Sequence, residues 1–170
     1  LPRRHAKLGS VDGRHPGGRG LVFVGDYVDR GPATRVVLEL VMSLPDAICL
    51  PGNHDAKLVR KLKGRDVQIT HGLGETLAQL EDKPTDAIRG FLEGLVSHAV
   101  LDGGELVVAH AGMLERYQGR ASGRVRDFAL FGDTTGETDE YGLPVRGNWA
   151  ADYRGRAAVV YGHTPVETPE

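Results

Sequence analysis

One arrangement recurs along this chain and constrains its fold more than any other feature: a short apolar run that ends in a polar loop containing glycine. It occurs four times in 170 residues, and each loop carries Asp, Asn-His or His. Short apolar runs bounded by turn residues are typical of buried strands, and helical patterns lie between them, so the sequence predicts an α/β fold. One such loop could be ordinary turn chemistry, whereas four are difficult to explain in that way. The four runs are residues 21–24, 47–50, 106–109 and 157–161.

The first loop has the sequence Gly-Asp-Tyr-Val-Asp-Arg-Gly-Pro and occupies residues 25–32. In open α/β sheets, ligands bind at the carboxyl ends of the strands, which is where this loop lies. Asp26 and Asp29 could hold a divalent cation or orient a base. Arg30 offers a planar set of donors that suits phosphate oxygens.

A helical segment separates the first two strands. Apolar residues at positions 37, 40, 41 and 44 share one helical face, and Pro45 ends the segment. The second strand then leads into residues 51–55, Pro-Gly-Asn-His-Asp. A strand, a helix and a strand in succession favour adjacent parallel strands, so we expect the two polar loops to converge at one edge of a sheet.

The remaining sequence gives weaker signals. Trp149 is expected to anchor packing in an irregular region of the kind that forms binding loops or lids. His98 lies among apolar residues and is interpreted as structural. The predicted elements are helices at residues 56–63, 75–80 and 84–96, a strand at residues 67–70, and the irregular region at residues 113–150.

Five basic residues lie between positions 57 and 65, directly after the Asn-His pair. They form either the solvated face of an amphipathic helix or a cationic flank for a phosphate-rich substrate. The sequence leaves both interpretations open.

The bulk composition indicates one domain, residues 1–170, without a general attraction for polyanions. The formal net charge is −2, and Cys49 is the only cysteine, so an internal disulfide is impossible and a reducing compartment is the default. No apolar run approaches the roughly 18 residues of a membrane span, and no signal-peptide pattern opens the chain. We therefore expect a cytoplasmic protein.

The four loops supply a set of side chains that could bind a metal ion. Asp26, Asn53, His110 and His163 offer oxygen and nitrogen ligands without a thiolate. That mixture suits Mn²⁺, Fe or Zn²⁺ better than Ca²⁺.

Three further residues of these loops suit phosphoester chemistry. His54, oriented by the carboxylate of Asp29, has the arrangement expected of a general acid. Arg30 would neutralise phosphate oxygens. Together with the metal ligands, these residues indicate hydrolysis of a phosphoester by metal-activated water.

At this point the chain resembles a known family. Gly25-Asp26-x-x-Asp29-Arg30-Gly31, Gly52-Asn53-His54-Asp55, His110-Ala111-Gly112 and Gly162-His163 are similar to the successive motifs of the calcineurin-like metallophosphoesterases. The wider sequence context is similar to one branch, the phosphatase domain of bacterial polynucleotide kinase-phosphatase, an RNA-repair enzyme.

The resemblance implies a sandwich of two mixed β-sheets flanked by helices, and two metal ions, Mn²⁺ with Fe, Zn²⁺ or Ni²⁺ as alternatives. It implies that Asp26 bridges the metals while Asn53, His110 and His163 complete the second site. His54 would protonate the leaving group and Asp29 would orient it. The implied substrates are nucleotides or RNA 3′ ends with phosphomonoester or 2′,3′-cyclic groups, in a longer parent protein with kinase and ligase domains.

One family motif is not found. The Gly-Asp-x-His-Gly sequence that supplies the first metal site should precede residue 1, and residues 12–15 do not replace it because their spacing is different. The strands that normally follow the last motif are missing too. The expectation is a domain truncated at both ends, with firm ligands for one metal.

Three functions remain open. The first is a phosphoesterase that acts on RNA ends. The second is a protein Ser/Thr phosphatase or a dinucleoside polyphosphate hydrolase, which would share every motif residue. The third is an inactive, truncated fragment, whose lost strands would expose sheet edges.

Overall fold

The computed structural model describes residues 19–81, 84–140, 142 and 144–164. The expectations stated above for residues 12–15 and for both chain ends concern residues outside these ranges. The chain forms two compact units. The first contains residues 1–49 and 54–95, and the second contains residues 50–53 and 96–170.

The first unit begins with the predicted succession of strand, helix and strand. Strand β1 (Val22–Phe23) is followed by helix α1 (Thr34–Met42) and strand β2 (Ile48–Cys49). The two strands are parallel, with Val22 opposite Ile48. The polar loops that follow them therefore start at the same end of the strands, as the sequence predicts.

Three more helices complete the first unit: α2 (Asn53–Leu62), α3 (Leu73–Leu80) and α4 (Asp86–Gly94). Their apolar faces surround a common core, in which Leu58 and Leu73 have no exposed surface. Helix α2 starts three residues earlier than predicted, so the Asn-His pair forms its first turn. The first amide groups of a helix have no hydrogen-bond acceptor within the helix, and here some of these amides belong to the motif itself.

The prediction of a strand at residues 67–70 is wrong. No strand is assigned there, and Ile69 is half exposed. The amide of Thr70 instead donates to the carbonyl of Gln68 over 3.1 Å, which makes a tight local turn. An alternating pattern needs a neighbouring strand to bond with, and this segment pairs with none of the described strands.

The second unit is built on a mixed three-stranded sheet. Strand β4 (Leu106–Ala109) lies in the centre, antiparallel to β3 (His98–Leu101) and parallel to a later strand, Ala158–Val160. Strand β4 is mostly buried, as its continuous apolar sequence predicts. Strand β3 was not predicted.

The region at residues 113–150 is more regular than the sequence suggests. Helix α5 (Gly123–Phe131) is capped by Ser122, whose hydroxyl accepts from the Val125 amide. It is followed by an antiparallel hairpin of β5 (Thr134–Thr138) and β6 (Pro144–Arg146). The strand at Ala158–Val160 is therefore β7. Trp149 is buried, as predicted, and packs edge-to-face on Phe128.

The predicted α/β class is confirmed. The described residues form a parallel pair of strands, a mixed sheet and an antiparallel hairpin, together with five α-helices. Among them, no helix has both the length and the apolar character that crossing a membrane would require.

Candidate active site

The first polar loop has an unusual backbone. Asp26, Asp29 and Arg30 all have positive φ angles, of 56°, 67° and 53°. This left-handed conformation costs a residue other than glycine about 1 kcal/mol or more. Backbone strain of this kind is concentrated at functional sites, where surrounding contacts maintain it.

Asp55 maintains the conformation of this loop. Its carboxylate has no exposed surface and accepts hydrogen bonds from the amides of Asp26, at 2.8 Å, and Tyr27, at 2.9 Å. Sequence reasoning did not select Asp55 as a functional residue. The available signal was its position in the first turn of α2, where a carboxylate is favoured by the helix dipole.

The two polar loops converge, as predicted. The amide of His54 donates to Oδ1 of Asp26 over 3.2 Å. Because Asp55 binds the backbone of Asp26 while His54 binds its side chain, the start of α2 fixes the loop from both sides.

Asp29 and His54 form a close pair. Nδ1 of His54 lies 2.5 Å from Oδ2 of Asp29, and their side chains are only 12% and 1% exposed, respectively. This contact fixes the ring orientation and leaves Nε2 as the nitrogen that could face a substrate. The geometry is the one that the general-acid assignment requires, and the assignment itself stays a prediction.

Thr76, which is fully buried on α3, holds the other side of Asp29. Its hydroxyl donates to Oδ1 of Asp29 over 2.7 Å and accepts from the Asp29 amide over 3.0 Å. Sequence reasoning missed this residue, because a single threonine in a helix carries no local signal of such a role.

Arg30 is exposed and lines an open cavity of about 640 Å³ in the first unit, together with His71, Glu75 and Gln79. Gly72 lies against its backbone: a Cβ atom there would overlap the amide nitrogen of Arg30. The conformation of Arg30 is thus fixed by a close approach that only glycine permits.

The second unit brings together three of the predicted metal ligands. Nε2 of His110 lies 3.1 Å from Oδ1 of Asn53 and 3.0 Å from Nδ1 of His163. His110 is buried at the end of β4, and His163 has a positive φ of 71° just after β7. The parallel pairing of β4 with β7 explains why their end loops meet.

These three side chains fit a divalent metal ion. Protein ligands bind first-row metals at about 2.0–2.2 Å, so two ligand atoms at right angles around one ion are about 3 Å apart. The observed spacings match that value. One amide oxygen and two imidazole nitrogens suit Mn²⁺, Fe and Zn²⁺, so the donor set does not identify the metal.

The predicted site residues are thus distributed over the two units. Asp26, Asp29, Arg30 and His54 lie in the first unit, and Asn53, His110 and His163 in the second. Asn53 and His54 are consecutive, so the metal ligands and the acid pair are joined through the chain at the start of α2.

The basic residues after the Asn-His pair are partly engaged within the first unit. The Lys57 amine donates to the carbonyl and the hydroxyl of Thr70, and Lys63 pairs with Glu93 at 2.7 Å. The Lys63 ammonium also lowers the pKa of Glu93. For these two lysines, the structure favours the interpretation as a solvated helix face.

Comparison with known proteins supports the same chemistry. Residues 9–167 match the family described as Calcineurin-like phosphoesterase. The asymmetrical bis(5'-nucleosyl)-tetraphosphatase PrpE of Geobacillus thermodenitrificans is 49% identical over 165 residues, which cover 91% of this chain and 67% of that protein. The proteins of the same name from Anoxybacillus flavithermus and Bacillus subtilis are 47% and 45% identical, over 91% of this chain and 67% and 68% of theirs.

None of these three names supports the expected branch, the RNA-repair polynucleotide kinase-phosphatases. The expectation of that branch rested on the wider sequence context around the motifs, and the three relatives carry the name of a dinucleoside tetraphosphatase instead. The family assignment itself is confirmed, because the match covers nearly the whole chain and the relatives are close in sequence. The chain belongs to the calcineurin-like phosphoesterase family, and it is a hydrolase of the phosphatase and phosphodiesterase type.

Proposed function

We propose that the chain hydrolyses dinucleoside tetraphosphates asymmetrically. Water is added across a terminal phosphoanhydride bond, so that one nucleoside triphosphate and one nucleoside monophosphate are released. The observation that carries this proposal is the 49% identity with a protein named as an asymmetrical bis(5'-nucleosyl)-tetraphosphatase. An RNA 3′ end or a 2′,3′-cyclic phosphate is the alternative substrate that the motif resemblance favours.

We propose that Asn53, His110 and His163 hold a divalent metal ion, Mn²⁺ in the first instance. When bound, it supplies positive charge that polarises the phosphoryl group and lowers the pKa of a water nucleophile. The support is the convergence of the three ligand atoms in the second unit. Asp26 is assigned to the same centre from its motif resemblance alone.

His54 acts as the proton donor in this proposal. Since Nδ1 faces Asp29, the proton that reaches the leaving oxygen sits on Nε2. Asp29 keeps the ring in place, and Thr76 keeps the carboxylate in place. Arg30 binds phosphate oxygens and offsets their negative charge.

The nature of the leaving group determines how much His54 contributes. A phosphate leaving group of a dinucleoside tetraphosphate is only weakly basic, whereas the alkoxide released from an RNA 3′ end needs a proton as it departs. A substrate with an alkoxide leaving group should therefore depend on His54 more strongly. Hydrolysis of the two candidate substrates should thus depend on His54 to different extents.

The test is product analysis with the full chain and Mn²⁺. Diadenosine tetraphosphate should give ATP and AMP in equal amounts, and faster than the chain hydrolyses an RNA 3′-phosphate, a 2′,3′-cyclic nucleotide or a phosphopeptide. Formation of two ADP molecules would contradict asymmetrical cleavage. A higher kcat/KM on RNA ends would favour the alternative function in RNA-end processing. In that case the expected kinase and ligase domains of a longer parent protein would act on the same RNA ends.

A further inference from the structure

The second unit contains two cavities that the proposed metal chemistry does not use. An inner cavity of about 250 Å³ is lined by Ala111 and Thr164, the residues that follow His110 and His163 in the chain. An outer cavity of about 730 Å³ lies between helix α5 and the β5–β6 hairpin. The inner cavity thus begins directly beside the metal-ligand loops.

The two cavities share part of their lining. Phe131, Gly132, Asp133 and Arg146 line both of them. Nη1 of Arg146 donates to the carbonyl of Phe131, which holds the guanidinium group at the junction. The remaining donors of an arginine held in this way suit a single phosphate group.

The wall of the outer cavity suits a flat aromatic group. Tyr117 and Phe131 contribute aromatic rings, and the guanidinium carbon of Arg116 lies 5.0 Å from the centre of the Tyr117 ring. Arg116 and Arg124 make no ion pair with any residue in the described part of the chain. Nucleobases are bound by such combinations of aromatic and guanidinium planes.

The charges of the wall oppose a long phosphate chain. Asp127, Asp133 and Glu137 line the outer cavity together with the three arginines, so its net charge is close to zero. Several phosphates in a row in the outer cavity would face Asp127 and Glu137, which do not line the inner cavity. Carboxylates do suit ribose hydroxyl groups, which donate hydrogen bonds to them in nucleotide sites.

The floor of the cavities is made of packed aromatic rings. The ring of Trp149 packs edge-to-face on Phe128, with centroids 6.0 Å apart, and lies 4.9 Å from the ring of Tyr161. Such aromatic contacts fix ring positions in a folded core. The two volumes also fall near the range of about 300–1,000 Å³ that is usual for small-molecule sites.

We propose that the two cavities bind the second nucleoside of a dinucleoside polyphosphate, namely the one remote from the phosphate that is attacked. The base lies against Tyr117, Arg116 and Arg124 in the outer cavity. Its nearest phosphate lies at Arg146, and the rest of the phosphate chain continues along the inner cavity towards His110 and His163. This inference rests on the proposed function for the identity of the substrate.

The emission of Trp149, the only tryptophan, provides a direct binding test because its ring lines the inner cavity. AMP, added to the full chain, should change that emission saturably, whereas ribose 5-phosphate, which lacks the base, should not. Arg116→Ala combined with Arg124→Ala should raise the Kd for AMP about tenfold. Arg156→Ala, an exposed arginine paired with Glu105 outside the cavities, is the matched control and should leave the Kd unchanged.

Turnover then separates this inference from the proposed function. The double variant should raise KM for diadenosine tetraphosphate about tenfold and leave p-nitrophenyl phosphate hydrolysis unchanged. An unchanged KM and an unchanged Kd for AMP would overturn the nucleoside site even if the tetraphosphate is a good substrate. If the tetraphosphate is not hydrolysed while AMP binding still depends on both arginines, the site stands and the proposed function fails. A change in Trp149 emission with ribose 5-phosphate equal to that with AMP would also overturn the nucleoside site.

Discussion

At the scale of single residues, the candidate active site depends on buried groups that hold the residues of the first polar loop in place. Asp55 binds the strained backbone at Asp26, and Thr76 binds the carboxylate of Asp29 from the side opposite His54. Strain at Asp26 and Asp29 would relax without such contacts, so the order of the site is produced by its supporting residues.

Thr76→Val should weaken catalysis through Asp29, because it removes the hydroxyl that donates to Oδ1 and leaves the Asp29 amide without its acceptor. We expect kcat for phenyl phosphate to fall about tenfold. The loss for p-nitrophenyl phosphate should be smaller, since its leaving group needs less help from a proton donor. The measurement is kcat for both esters.

Thr76→Ser is the matched control, since it keeps the hydroxyl, and it should restore most of the activity. Equal losses on the two esters in the valine variant would argue that Thr76 supports the fold rather than the proton donor. His54→Ala should also lower kcat more for phenyl phosphate than for p-nitrophenyl phosphate, and by a larger factor than Thr76→Val does.

At the scale of elements, strand β3 carries a titratable residue in a partly buried position. Nε2 of His98 accepts a hydrogen bond from the Gly119 amide over 2.9 Å, and its Nδ1 lies 3.0 Å from the Ser97 hydroxyl. Burial lowers the pKa of His98 below its ordinary value of 6.5. Only an unprotonated Nε2 can accept from the amide, so the neutral ring is the form that links β3 to the segment at Gly119.

This arrangement predicts acid sensitivity of a definite sign. The pKa is lower in the folded than in the unfolded chain, so the contribution of His98 to the free energy of unfolding is complete above about pH 6.5 and declines as the pH falls towards the folded-state pKa. His98→Gln keeps an acceptor without the titration. Its free energy of unfolding should therefore fall less than that of the parent chain between about pH 8 and about pH 5.

Urea unfolding at several pH values across that range checks the prediction. Parallel curves for the parent and the glutamine variant would show that His98 does not contribute. The structural interpretation of His98 from the sequence agrees with its contacts, although the partner at Gly119 could not be inferred from neighbouring residues.

At the scale of the whole molecule, the sequence predicted what depends on local pattern and missed what depends on distant partners. The four polar loops follow strands β1, β2, β4 and β7, because apolar runs and glycine mark strand ends locally. Helix α5 was missed because its first turn contains glycine and arginines, so its apolar face is weak and its start depends on the Ser122 cap.

The same distinction applies to the candidate site. Asp26, Asn53, His54, His110 and His163 could be selected because each stands in a loop with its own motif. Thr76 could not, because its role comes from a contact 47 residues away in the sequence. Asp55 stands in the same motif as His54, but its role depends on the amides of Asp26 and Tyr27, 29 and 28 residues away. Side chains that support a site are thus harder to recognise from sequence than those that form it.

The central claim is that Asn53, His110 and His163 hold the metal ion on which hydrolysis depends. The most direct measurement is the divalent metal content of the purified chain, compared with that of His110→Ala and His163→Ala, after each variant has shown an unfolding transition like that of the parent. We predict bound metal in the parent chain and the loss of most of it in both variants, while His98→Gln, which leaves the three ligands unchanged, retains the parent content. Equal metal content in the parent chain and in both folded variants would contradict the account.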